Sequence, residues 1–211
     1  GSDDFHKIVL PKKDLNNELV LMGTDFRAVG SIEKEQYPEI EDLLHIRVMA
    51  REVVKVKETA IYEDLICATN KNIFSFFSFG LEIGNSETCL DGPDKIVIDR
   101  YLANKYFEGE NPIGQIIEVY DRKFQVSAIM KNVPENSHLK FHMLLPIEGI
   151  GWLGKDQWGY YDSFITYLKL KKNSDTKLLA TQISEMVYTY MPVYKQLQIS
   201  YFLQPLTKIH F

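Results

Sequence analysis

His138 and His142 are the only two of the five histidines separated by four residues, the helical spacing at which two imidazoles can share one zinc ion. The segment around them, 139–145, reads as extended chain, in which four residues span ~13 Å, too far for one metal, so two half-exposed strand histidines are expected instead. His6, His45 and His210 stand alone in sequence. Nucleophilic catalysis would need a serine in a Gly-x-Ser-x-Gly elbow or a cysteine beside a base, and neither pattern occurs. No glycine-rich phosphate loop is present either, because Gly80, Gly84, Gly92, Gly109 and Gly114 are too scattered. Glu39, Glu41 and Asp42 read as solvated acids rather than an acid/base pair. The residue types therefore predict no catalytic site, no metal site, no cofactor and no ATP binding.

One stretch invites a different reading. Between Pro146 and Asp162 the chain carries Trp152, Trp158, Tyr160 and Tyr161 among four glycines, a longer connection than compact domains commonly use. Trp and Tyr are enriched in binding hot spots, and they also fold back onto cores as large apolar bodies. These four rings are the candidate partner-contact residues.

The elements that must position such residues follow from composition and punctuation. The chain has 211 residues, 45% hydrophobic and 25% charged, within the range of globular proteins that bury a core in one domain or two joined lobes. Gly1-Ser2 reads as an expression-tag remnant. No apolar run reaches the ~20 residues a membrane helix needs, the longest, Ile73 to Ile83, being broken by two Ser and a Gly; a water-soluble body is expected. The net charge of −5 argues against nucleic acid as a partner. Cys67 and Cys89 suffice for one disulfide in an oxidising compartment, although their spacing favours two separate semi-buried thiols.

Strands are expected at Phe5 to Leu10, along a long stretch from His45 to Val56, and on both sides of a turn or short helix at 72–76 within Ala60 to Ile83. Ser31 is expected to cap a short helix to Tyr37, stopped by Pro38. Asp99 is a candidate cap for a helix over Arg100 to Phe107, with Gly109 ending it. Gln115 to Met130 alternates as a hairpin turning at Asp121-Arg122-Lys123. Phe164 to Leu170 is a strand, Ser174 or Asp175 caps a helix carrying Leu179, Ile183, Met186 or Val187, and Tyr190 on its apolar stripe, and Leu197 to Leu206 closes the chain as a strand. Short mixed strands with few helices predict an α+β fold.

Within that frame, Ile96-Val97-Ile98-Asp99, Leu102-Ala103-Asn104-Lys105-Tyr106-Phe107, Glu110-Asn111-Pro112-Ile113-Gly114-Gln115 and Phe124-Gln125-Val126 occur in order. This succession of strand, helix, Asn-Pro-Ile-Gly turn and hairpin resembles the core block of MacB-like periplasmic domains in FtsX-like ABC-transporter permeases. Flanking pieces agree: Asp4-Phe5-His6-Lys7, Tyr37-Pro38-Glu39-Ile40-Glu41, Val133-Pro134-Glu135-Asn136-Ser137-His138, Thr166-Tyr167-Leu168-Lys169-Leu170 and Gln204-Pro205-Leu206-Thr207-Lys208-Ile209-His210. Glu108-Gly109 departs from the pattern, which would place Gly directly after Tyr-Phe.

The resemblance implies a two-lobed body. A discontinuous base lobe of strand-helix-strand units would comprise 3–57 and 140–211, and a strand-rich lobe inserted into it would comprise 58–139. It further implies a place on the periplasmic side of the cytoplasmic (inner) membrane, between two membrane helices of one permease subunit. The partners implied are a second permease subunit or domain, a separate cytoplasmic ATPase subunit acting through the membrane part, and a periplasmic protein or exported substrate. Such a domain couples ATP hydrolysis to export or to mechanical action; sensing of a ligand or partner, for example a peptide or antibiotic, is the alternative. If the chain joins two helices of one bundle, its first and last strands should share a lobe and its ends should lie within roughly 25 Å of each other.

Overall fold

The computed structural model describes residues 5–13, 19–22, 36–77, 79–135, 137, 139–153 and 164–206. The fold is α+β, and its chain contacts divide it into two compact units, the first taking residues up to His45 and again 164–206, the second 46–153.

In the first unit, β1 (Phe5–Lys13) pairs antiparallel with β2 (Leu19–Met22), β12 (Phe164–Leu170) and β13 (Phe202–Pro205). The first and last strands therefore lie side by side, with His6 opposite Pro205. α3 (Thr176–Tyr190) starts where the Asp175 carboxylate accepts the Leu178 N–H at 3.0 Å. Its Leu179, Ile183 and Val187 recur at helical spacing and pack with Tyr37, Ile40, Leu168, Leu170, Tyr194 and Tyr201. Tyr190, expected on that stripe, is exposed. Pro192 does more than end α3: it takes the first turn of a second helix, α4 (Pro192–Gln196), a position where its missing N–H costs nothing. The expected closing strand is consequently shorter and begins at Phe202.

The second unit is built on a mixed sheet. β3 (Ile40–Val48) carries the chain into it, followed by β4 (Glu52–Val56), β5 (Thr59–Glu63), β6 (Ile66–Thr69), α1 (Ile73–Phe77) and β7 (Leu81–Ile83). Then come β8 (Lys95–Asp99), α2 (Arg100–Phe107), β9 (Ile116–Val119), β10 (Arg122–Met130) and β11 (Met143–Pro146). The strand order in this unit is β3-β6-β11-β8-β10-β9-β4-β5, with β7 also on β10; β6 runs parallel to β11 and β8 parallel to β10. β6 and β11, flanked on both sides, are buried at every residue.

Two expectations are corrected. The long strand from His45 to Val56 is two strands, because β3 pairs with β6 whereas β4 pairs with β5 and β9, and the chain must turn at 49–51 to change neighbours. The hairpin turns at Tyr120-Asp121, one residue earlier than expected, with both residues at positive φ (55° and 56°), the two-residue turn that matches strand twist. Residues 31–35 of the expected helix at 31–37 lie outside the described residues. By chain contacts the two units divide in sequence at 45/46 and again beyond 153, with β4 joined to β9 and β11 joined to β6 and β8 inside the second unit.

Candidate functional site

Trp152 is placed by its neighbours. After β11 a single 3-10 turn, Ile147–Gly149, is continued by bonds from Ile150 N–H to Ile147 O (3.1 Å) and from Leu153 N–H to Ile150 O (2.8 Å). Ile147, Ile150 and Leu153 are thereby directed into the core, while Trp152, between the last two, is 53% exposed. Gly149 makes this mooring possible: a Cβ there would collide with the Pro93 carbonyl oxygen and lie 2.9 Å from the Phe124 ring.

Two side chains from distant strands meet the indole. The Arg47 guanidinium carbon lies 5.0 Å from the Trp152 ring centroid, a cation–π contact, and the Tyr120 ring stands edge-on at 6.3 Å and 78°. Near them β4 and β9 pair at Lys55 and Glu118, whose side chains form a 3.2 Å ion pair. An open groove of about 550 Å³ is lined by Glu52, Val53, Lys55, Glu118, Val119, Tyr120, Asp121 and Trp152. The Tyr120 hydroxyl is shut off from solvent yet has no hydrogen-bond partner. Burial, reinforced by the Glu52 carboxylate and opposed by Arg47, pushes its pKa up to about 12. Glu52 turns one oxygen to the Val53 N–H at 2.8 Å. The arrangement presents carboxylates and an aromatic face; it contains no nucleophile paired with a base.

Of the four aromatic candidates, Trp152 alone can be placed; Trp158, Tyr160 and Tyr161 lie outside the described residues. Arg47, Tyr120, Glu52 and Asp121 escape the sequence reading, since four separate segments supply the groove. The one available signal is Tyr-Asp at a hairpin turn that ordinarily takes Asn-Gly.

The remaining reactive side chains are absorbed by structure. His142 Nδ1 bonds the Asp99 carboxylate at 2.5 Å, and the other oxygen of Asp99, a fully buried residue, accepts the Leu102 N–H at 2.9 Å, capping α2 as expected. His45 bonds the Thr166 hydroxyl at 3.0 Å, and His138 lies outside the described residues. Cys67 and Cys89 are free rather than joined; burial raises their pKa values to about 12 and about 11, which keeps both as unreactive thiols at neutral pH. Among the described residues, no three His, Cys, Asp or Glu side chains are grouped to hold a metal ion, and no helix is long and apolar enough to cross a membrane.

Comparison with known proteins places this fold. The model of the MacB-like periplasmic core domain matches residues 9–186. Among solved structures, a domain described as part of a permease protein from Porphyromonas gingivalis aligns with a TM-score of 0.75 and 16% identity, covering 100% of this chain and 94% of that one. The periplasmic region of MacB from Actinobacillus actinomycetemcomitans aligns at 0.66 and 13%, covering 97% and 89%. The extracellular domain of the noncanonic ABC-type transporter YknZ from Gram-positive bacteria aligns at 0.60 and 12%, covering 89% and 95%. No curated protein matches the chain. With the family model matched over most of its length, and with the strand, helix, turn and hairpin of 96–126 folded as the motif requires, the chain belongs to the MacB-like periplasmic core domain family.

Proposed function

We propose that this domain works as the extracytoplasmic part of an ABC-transporter permease subunit in the inner membrane, coupling ATP hydrolysis by a separate cytoplasmic subunit to export or to mechanical action on a periplasmic partner. The single observation that supports this most is the pairing of β1 with β13, which sets His6 opposite Pro205. Neighbouring membrane helices pack ~8 to 10 Å apart, and adjacent strands lie about 5 Å apart, so a chain entering and leaving on paired strands suits insertion between two helices of one bundle. In this reading the chain near the two ends, 3–57 and 140–211, forms a base, and 58–139 an inserted lobe. A second permease subunit or domain completes the machine. The test is reconstitution of the intact permease and its ATPase in liposomes, with and without this domain. Excision should leave ATP hydrolysis measurable and abolish cargo movement; unchanged movement would refute the coupling role.

A second reading, sensing of a ligand or partner, is favoured by the half-exposed Trp152 beside an open groove. In cells, Trp152→Ala should then abolish the response to the sensed molecule while leaving export intact. Loss of export with an intact response would reject it.

A further inference from the structure

The outermost strand of the second unit, β5, is a bare edge that its own sequence fits. We propose that β5 of one copy pairs antiparallel with β5 of a second copy about a two-fold axis through Ile61. This gives the second permease subunit a point of contact, and it rests on the coupling reading for what holds the two copies close.

The backbone specifies a strand as the occupant. Thr59 pairs with Val56 across the two-residue turn at Lys57-Glu58, with Lys57 at φ 54°. The bonds to β4 are therefore made by Thr59, Ile61 and Glu63, and Ala60 and Tyr62 turn their N–H and C=O groups the other way. Lys55, opposite Ala60, follows the same alternation, since it turns from β5 toward Glu118 of β9. β5 ends the strand order, and neither Ala60 nor Tyr62 makes a turn, loop or cap bond among the described residues. Such a row of outward donors and acceptors is a template for one more strand.

Edges are ordinarily blunted, and the outermost strand of the first unit shows how. β13 ends in Pro205, which has no N–H to offer. Side chains of α3 take up the backbone leading into it: Ser184 Oγ accepts the Tyr201 N–H at 2.8 Å, and the Tyr188 hydroxyl donates to the Ile199 carbonyl at 2.8 Å. β5 has neither device. Thr59 to Tyr62 carry no charge and no proline, and Tyr62 is 64% exposed. Charges at the two ends of the strand are drawn elsewhere, Lys57 to Glu110 and the buried Glu63 to Lys105.

Register singles out the second copy. Outward residues must meet outward residues, so a two-fold pair can oppose Ala60 to Ala60, Ala60 to Tyr62, or Tyr62 to Tyr62. Only the second pairs all five residues of β5. It sets Ile61 against Ile61 on the face where Val54 is buried, Tyr62 against the small Ala60, and Thr59 against Glu63. Centring on Tyr62 would instead set Ile61 against Glu63. Just beyond the strand Glu58 meets Asp64, and Arg51, 4.0 Å from Asp64, offsets that like-charge pair. A contact of this size lies below the ~1,200 Å² of stable interfaces, so it forms between copies held together, where tethering supplies a roughly millimolar effective concentration.

The test is disulfide trapping in the full chain at ~1 mM, where the buried Cys67 and Cys89 should leave the native protein monomeric. Ile61→Cys should give a covalent dimer under mild oxidation, since opposed residues that share no hydrogen bond have Cα atoms ~4.5 Å apart. Thr59→Cys should not, its counterpart lying four residues along, ~13 Å away. Should Ile61→Cys melt lower, a mixture of Ala60→Cys and Tyr62→Cys reads the same register at exposed sites, each variant linking to the other ahead of itself. Ala60→Pro, which removes an N–H turned away from β4, should cut trapping by roughly tenfold at an unchanged melting temperature. Equal trapping of Thr59→Cys and Ile61→Cys, or none in Ile61→Cys and in the mixture, would overturn the proposal. So would trapping that Ala60→Pro leaves unchanged. In the intact permease, normal cargo movement without Ile61→Cys linkage rejects this contact and keeps the coupling reading; linkage, with cargo movement that survives excision of the domain, does the reverse.

Discussion

The start of α2 and the groove beneath Trp152 belong to the same unit and are both rich in polar groups, yet they are built on opposite terms. At α2 each named group is answered internally: Asp99 caps Leu102 N–H and holds His142, its own N–H bonds the His142 carbonyl at 2.9 Å, Asn132 accepts the Tyr101 N–H, and Glu63 meets Lys105 at 2.6 Å. In the groove the Trp152 indole is left half uncovered. Closed networks specify the fold and rarely signal; what the fold leaves open is available to something else.

Substitutions can break or sharpen this contrast, and the largest effect is expected at the closed end. Asp99→Ala removes the cap of α2 and strands His142 at once, and should cost about 3 kcal/mol in urea unfolding. A loss under 1 kcal/mol would erase the distinction between the regions. Gly149→Ala comes next, at about 2 kcal/mol, because the added methyl meets the Pro93 backbone and the Phe124 ring. Since the same turn moors Trp152, its fluorescence should change in the folded variant; an unmoved spectrum would detach the groove from its mooring.

Cys67 yields a smaller, pH-dependent effect. Its thiol pKa is raised in the folded state from 9.0 to about 12, so the stabilisation is complete below pH 9 and is lost as pH climbs toward 12, where only the unfolded chain ionises. Melting followed across that window should fall less steeply in Cys67→Ala, by up to about 1.4 kcal/mol per pH unit. Parallel slopes would show that the thiol is less secluded than its burial implies. The smallest stability effect belongs to Trp152→Ala, under ~1 kcal/mol by calorimetry, compared with the ~3 to 5 kcal/mol of a fully buried ring. A loss in that upper range would turn Trp152 into a core residue and end the comparison.

How legible each region is in the sequence follows from the same difference. Asp99 before Arg100 to Phe107, Asp175 before α3, and the run Phe164–Leu170 are announced by local chemistry, since caps and periodicity act between residues a few positions apart. The break between β3 and β4 is not, because Val-rich stretches look alike whichever strand they join and only β6, β5 and β9 decide where the chain must turn. The groove is the least legible. Trp152 draws attention through its glycine-rich surroundings, but Arg47, Glu52, Glu118 and Tyr120 reach it only once the sheet has assembled. The quoted motif pieces, spread along nearly the whole chain, carry architecture and pass over Glu118 to Asp121, which line that surface.

The parallel pairing of β6 with β11 bears on how the domain comes into being. Ile66 finds its partner Met143 only after β7, β8, α2, β9 and β10 have been made, so the inner strands of the sheet meet late while the β4–β5 and β9–β10 hairpins close early. Loop closure over so long an interval slows the final step, and until then the Ile66–Thr69 segment has β3 on one edge and lacks β11 on the other. A polypeptide delivered across a membrane N-terminus first would pass through that half-assembled stage with β6 uncovered, the interval in which a chaperone outside the cytoplasm would have most to protect.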